Sequence, residues 1–153
     1  MLLHATLLCL HLLAAAYWVG GMAVMHFAVR PAAVQCLQPP LRLPFMAAAL
    51  GRFFVGVNVA VVVLLLSGLA MLLGSGGFAA AHWSTHAMFG IGLAMMAVYG
   101  HIRFAAYPRL QQAVAALEWP KAAAQLNAIR QRVALNLGLG TLVFVLAVVA
   151  RVL

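Results

Sequence analysis

Apolar positions dominate this chain in four long runs, and the charged positions fall between them. The runs cover about residues 2–29, 46–73, 78–107 and 133–153. Each meets or exceeds the ~20 residues that a helix needs to cross a bilayer at ~1.5 Å per residue. Backbone groups in lipid must be satisfied within their own segment, and the alternating pattern of strands is absent. The pattern predicts an all-α, integral membrane four-helix bundle in up-down-up-down order. It forms a single transmembrane domain over residues 1–153. The connection 30–45 holds Pro31, Pro39, Pro40 and Pro44, which predicts an irregular loop that stops the helices on both sides. In the connection 108–132, Pro120 suits a first helical position, predicting a short helix before it and one long helix from it to the C-terminus.

Composition removes the soluble alternatives. Hydrophobic residues make up 67% and charged residues 7%, where a soluble domain carries roughly 25% charged residues. Nine Lys and Arg face one acid, Glu118, for a net charge of +8. These cations flank the two prolonged connections: Arg30, Arg42 and Arg52 at one, Arg103, Arg109, Lys121, Arg130 and Arg132 at the other. By the positive-inside rule both connections are cytoplasmic and both termini lie on the outer, periplasmic side. Only Arg151 falls on the opposite side. Topology accounts for the basic balance, so nucleic acid is excluded as a partner and the lipid bilayer takes its place. The expected location is a bacterial inner membrane, crossed several times. Cys9 and Cys36 form no disulfide framework and no CxxC. The N-terminal run lacks a basic start and reads as a retained span, not a cleaved signal.

All six histidines lie in the first and third runs: His4, His11 and His26, then His82, His86 and His101. Ionisable groups inside a membrane are costly and mark functional sites by default. No Asp or Glu lies in the runs, which removes a carboxylate relay and the usual hard-cation ligands. Imidazoles with eight Met and two Cys make a set suited to haem iron or copper. His11 and His26 are 15 residues apart (26 − 11), as are His86 and His101 (101 − 86). Runs one and three point the same way, so pairing His11 with His86 brings His26 level with His101. Two bis-histidine layers would result, suited to one or two b-type haems. Arg30, Arg52 and Arg103 could meet haem propionates at the inner surface or simply set topology. Gly20, Gly21, Gly90 and Gly92 would admit a flat macrocycle or a close helix contact. Met22, Met25, Met88, Met95 and Met96 are copper-ligand candidates, with core filling as the bland reading. His4 and His82 read as interfacial.

The first run contains Leu10-His11 and then Trp18-Val19-Gly20-Gly21; the third contains Trp83, His86 and Tyr99-Gly100-His101. These motifs resemble the copper-resistance D (CopD) family and the related HemJ-type protoporphyrinogen oxidases. The CopD resemblance implies copper movement across the inner membrane. The HemJ resemblance implies a haem-associated oxidase with His11 as a haem ligand. Where that second family has a lysine early in its third helix, this chain reads His86-Ala87-Met88, which points away from protoporphyrinogen oxidation.

The leading expectation is a membrane b-type cytochrome, with His11, His86, His26 and His101 as iron ligands and Arg30 and Arg103 beside the cofactor. It would carry electrons between a quinone pool and redox partner proteins, in a haem-dependent oxidoreductase, alone or as a homo-oligomer. The alternative is a CopD-like copper-handling protein. A non-catalytic assembly subunit is the third reading.

Overall fold

The computed structural model describes residues 2–150. Its path is set by four long helices: α1 (Leu2–Cys36), α2 (Pro39–Gly74), α3 (Trp83–Ala115) and α4 (Trp119–Val149). All four are long and apolar enough to cross a membrane. The expected fourth span ends at Leu153 and the odd cation is Arg151; both positions lie outside the described residues.

The helices outrun the sequence-based spans. At 31 to 36 residues each, they reach roughly 46–54 Å, well beyond a ~30 Å hydrocarbon core. The excess lies toward the end that carries Arg30, Arg42, Arg109 and Lys121, the basic end. The irregular loop expected over 30–45 is a correction. Helix continues through Arg30–Cys36, breaks only at Leu37 and Gln38, and resumes at Pro39. Pro39 and Pro40 occupy the first turn of α2, where the missing N–H groups would be unpaired in any case. The segment 108–132 is likewise mostly helix, turning at Ala116–Glu118 with Leu117 in the left-handed region at φ 57°. At the opposite, neutral end, Gly76 and Gly77 adopt positive φ and a short 3₁₀ turn, Phe78–Ala80, precedes α3. Residue 78 therefore starts a turn and not the third span.

Buried positions follow a three–four spacing. In α2 they include Leu43, Ala47, Leu50, Phe54 and Val57, and in α3 Met95, Tyr99, Ile102, Ala106 and Leu110. That spacing forms a narrow seam of the kind left-handed bundles use. α1 packs chiefly on α2, and α3 on α4, with α4 also touching α1 and α2. α1 and α3 lie diagonally and meet where Trp18 abuts Tyr99, ring centroids 5.8 Å apart. Phe54 adds a third ring at 5.7 Å from Tyr99. Much of the bundle surface is apolar, with Leu13, Phe27, Val55, Leu66 and Phe104 among its exposed side chains. In a bilayer these face lipid.

The core is uneven along the bundle axis. It is dense from Trp18, Phe54 and Tyr99 to Leu110 and Ala122 at the basic end. Toward the neutral end α3 buries only Ser84 before Met95, and α4 buries nothing between Gly140 and Val149.

Candidate functional site

Two local distortions position the candidate side chains. In α1 the turn Met25–Val29 widens to π geometry, and Pro31 follows two residues later. In α3 the turn Ile102–Ala106 does the same, and Pro108 follows two residues later. The Arg30 N–H donates to the Met25 carbonyl and the Tyr107 N–H to the Ile102 carbonyl, each five residues back. A proline inside a helix lacks its N–H and presses on the carbonyl four residues earlier. One extra residue in the preceding turn accommodates that ring without ending the helix, and such bulges recur at functional sites. The sequence repeats with the geometry: Phe27-Ala28-Val29-Arg30-Pro31 and Phe104-Ala105-Ala106-Tyr107-Pro108.

This repeat places His26 against Arg103 and Arg30 against Tyr107. The equal histidine spacing is therefore not the register that the backbone repeats; His101 corresponds to Val24.

His11 is partly buried and turned to α2. Its Nδ1 lies 2.9 Å from the Ser67 Oγ. The Ser67 hydroxyl donates its one proton to the Val63 carbonyl within its own helix. With that proton on Val63, Nδ1 carries the imidazole proton and donates it to Ser67. That tautomer follows from the hydrogen-bond network, and it leaves Nε2 with a free lone pair. Histidines that bind metals are commonly oriented in this way, through a hydrogen bond from the other ring nitrogen. Gly68 makes the approach possible: a Cβ there would stand 3.1 Å from the His11 Cε1.

His26 sits at the other end of α1, partly buried and edge-on to Phe27 at 4.8 Å. With Met25, Met46, Leu50 and Val133 it lines a small cavity of about 30 Å³, reached also by Arg30 and Arg130. Two thioethers and one imidazole thus line one open cleft, a soft donor set. A larger cavity of about 210 Å³ adjoins it, sharing Arg30, Met46 and Leu126.

The other histidines are placed differently. His86 is exposed and stacks on Phe78, centroids 5.6 Å apart. His101 is exposed, and His4 is exposed near the start of α1. His82 caps α3, accepting from the Ser84 N–H at 3.5 Å. Arg103 lies over the Phe104 and Tyr107 rings, at 5.7 and 5.8 Å. The structure thus joins His11 to Ser67 and His86 to Phe78, not to one another. Midway along the bundle, between the two expected layers, Trp18, Phe54 and Tyr99 pack into the core where α1 and α3 meet. With His11 turned to Ser67 and His86 and His101 exposed, the side chains do not form the two facing histidine pairs that two haems need. Among the described residues no three His, Cys, Asp or Glu gather as a metal site.

Three polar residues escaped the sequence reading. Ser67 orients His11, and Asn58 accepts from the Tyr99 hydroxyl at 2.6 Å. Asn136, 1% exposed, donates through Nδ2 to the Met95 carbonyl at 3.0 Å, while its Oδ1 has no partner. Each interrupts a run of Val, Leu or Gly, and a lone polar side chain in a span is itself a signal.

A family model described as copper resistance protein D matches residues 47–150. No curated protein and no solved structure matches the chain.

Proposed function

Since this chain belongs to the copper resistance protein D family, we propose that it handles copper as cargo within a multi-pass membrane bundle. The family match over residues 47–150 carries this reading. It begins inside α2, so the donors on α1 support the reading independently of it. His11, with Nε2 free, would serve as a ligand in one half of the bundle. Met25, His26 and Met46 would serve in the other, at the basic end. The positive-inside rule puts that basic end in the cytoplasm and both termini outside, in an inner membrane. Copper(I) accepts imidazole and thioether ligands, which are the donors available here.

The test is Cu(I) competition between the purified protein in detergent and a chromogenic chelator under reducing conditions, with cellular copper measured in parallel. Expression of the protein should change the copper content of cells. His11→Ala and His26→Ala should each weaken binding by roughly tenfold or more. His4→Ala should leave it unchanged, because His4 is exposed and apart from both donor groups. Loss of neither Cu(I) binding nor copper accumulation in the two variants would end the proposal. A Soret band in the purified protein that disappears in His11→Ala would replace it with the haem reading.

A further inference from the structure

The larger cavity at the basic end has a composition that copper handling does not explain. It measures about 210 Å³ and is lined by Arg30 of α1, Arg42 of α2 and Asn127 of α4, over an apolar floor of Leu43 and Met46. The adjoining small cavity adds Arg130 of α4. Three helices thus each contribute an arginine to these adjoining spaces: Arg30 lines both, Arg42 the larger and Arg130 the smaller. All three arginines are partly buried.

Among the described residues no carboxylate side chain lines either cavity. The chain has a single acidic side chain, Glu118. It is already engaged with Lys121 at 2.8 Å, a pair outside the cavity. Like charges held together in partly desolvated surroundings repel, and the repulsion falls when an anion enters. A guanidinium offers planar, forked donors that match phosphate oxygens. Asn127 adds a neutral amide. The volume far exceeds the ~10–15 Å³ that one water needs, so an anion with attached atoms can enter. The helices here extend past the hydrocarbon thickness, which brings the cavity to headgroup depth, where basic pockets between helices recognise anionic lipid.

We propose that Arg30, Arg42 and Arg130, with Asn127, form a binding site for a phosphate-bearing anion at the basic end of the bundle. The apolar floor would take the first carbons of an ester, and the arginines its phosphate. The site does not depend on the copper reading, because it uses none of the soft donors as ligands.

Thermal unfolding of the full chain in a neutral detergent tests this, with three probes titrated separately: inorganic phosphate, short-chain phosphatidylglycerol and short-chain phosphatidylcholine. Phosphatidylglycerol should raise the melting temperature saturably, and phosphatidylcholine, whose choline offsets the phosphate charge, should do so much less. Arg30→Gln/Arg42→Gln should raise the half-saturating concentration at least roughly tenfold. Lys121→Gln should not shift it. A saturable response to inorganic phosphate as well would assign the site to free phosphates and headgroups alike; a response to the lipid alone would assign it to headgroups. Arg42→Gln alone serves where the double variant folds poorly, and it should still weaken binding severalfold. An unchanged half-saturation in these variants, or no saturable response to either anion in the native chain, overturns the proposal.

Discussion

The two proline-linked bulges share a backbone and a sequence pattern, yet they do opposite work. Both put a phenylalanine into lipid: Phe27 is 70% exposed and Phe104 77%. The residue just before the proline then divides them. In α3 it is Tyr107, 7% exposed, whose hydroxyl donates to the Ala47 carbonyl at 3.1 Å and whose ring meets Phe54 edge-on at 5.2 Å. In α1 it is Arg30, which lines both cavities. The first bulge opens a cationic space between helices; the second locks α3 onto α2. A widened turn supplies a direction for side chains, and the side chain placed there decides between a site and a strut.

The comparison is tested most sharply by cutting both residues to alanine. Tyr107→Ala removes a buried ring, an edge-on contact and a hydrogen bond, and should cost about 3–5 kcal/mol, as large aromatic truncations do. Arg30→Ala at the matching position should lower the melting temperature far less, and should even raise it where unpaired positive charge dominates. Thermal unfolding in detergent measures both. Equal losses would dissolve the distinction between the two bulges.

The strut has a second contact that can be probed from α2. Gly51 faces the Tyr107 hydroxyl so closely that an added Cβ would collide with it. Gly51→Ala should therefore cost about 1–3 kcal/mol through overpacking. In a Tyr107→Phe background the obstructing oxygen is gone, and the same substitution should cost much less. A double-mutant cycle reads this coupling directly. Additive effects would mean that Gly51 is not what admits Tyr107.

The four apolar runs made the four helices legible, because a span must be both long and apolar, and little else in a sequence is. Pro120 at the start of a helix was equally legible. The continuation of α1 through Pro31 was not, because a proline usually argues for a stop, and the compensating bulge lies upstream among ordinary residues. The repeated Phe-Ala-x-x-Pro could have revealed it, being a closer match than the histidine spacing. His11 stood out in the sequence as the deepest imidazole of the first run, and it is turned to α2. Its partner Ser67 did not, since the pairing of α1 with α2 depends on packing register. The arginine cavity was illegible for a related reason. Arg30, Arg42 and Arg130 each read as topology signals, and only the fold brings three helices' ends around one space.

The smallest expected effect lies at another position where the two bulges differ, His26 in α1 and Arg103 in α3. Arg103 rests on the Phe104 and Tyr107 rings at 5.7 and 5.8 Å, so its charge helps to hold the strut and does not reach the cavity that Arg30 lines. Cation–π contacts of this kind contribute about 0.5–1 kcal/mol at exposed sites. Arg103→Met keeps an unbranched apolar stem but removes the charge, and should lower stability by about that amount. It should leave anion-dependent stabilisation as it is in the native chain. In a Tyr107→Phe background Arg103→Met should cost the same, because the ring face survives the loss of the hydroxyl. Melting curves with and without phosphatidylglycerol separate the two roles. If Arg103→Met weakened the anion response as Arg42→Gln should, the second bulge would belong to the site as well, and its assignment as a strut would fail.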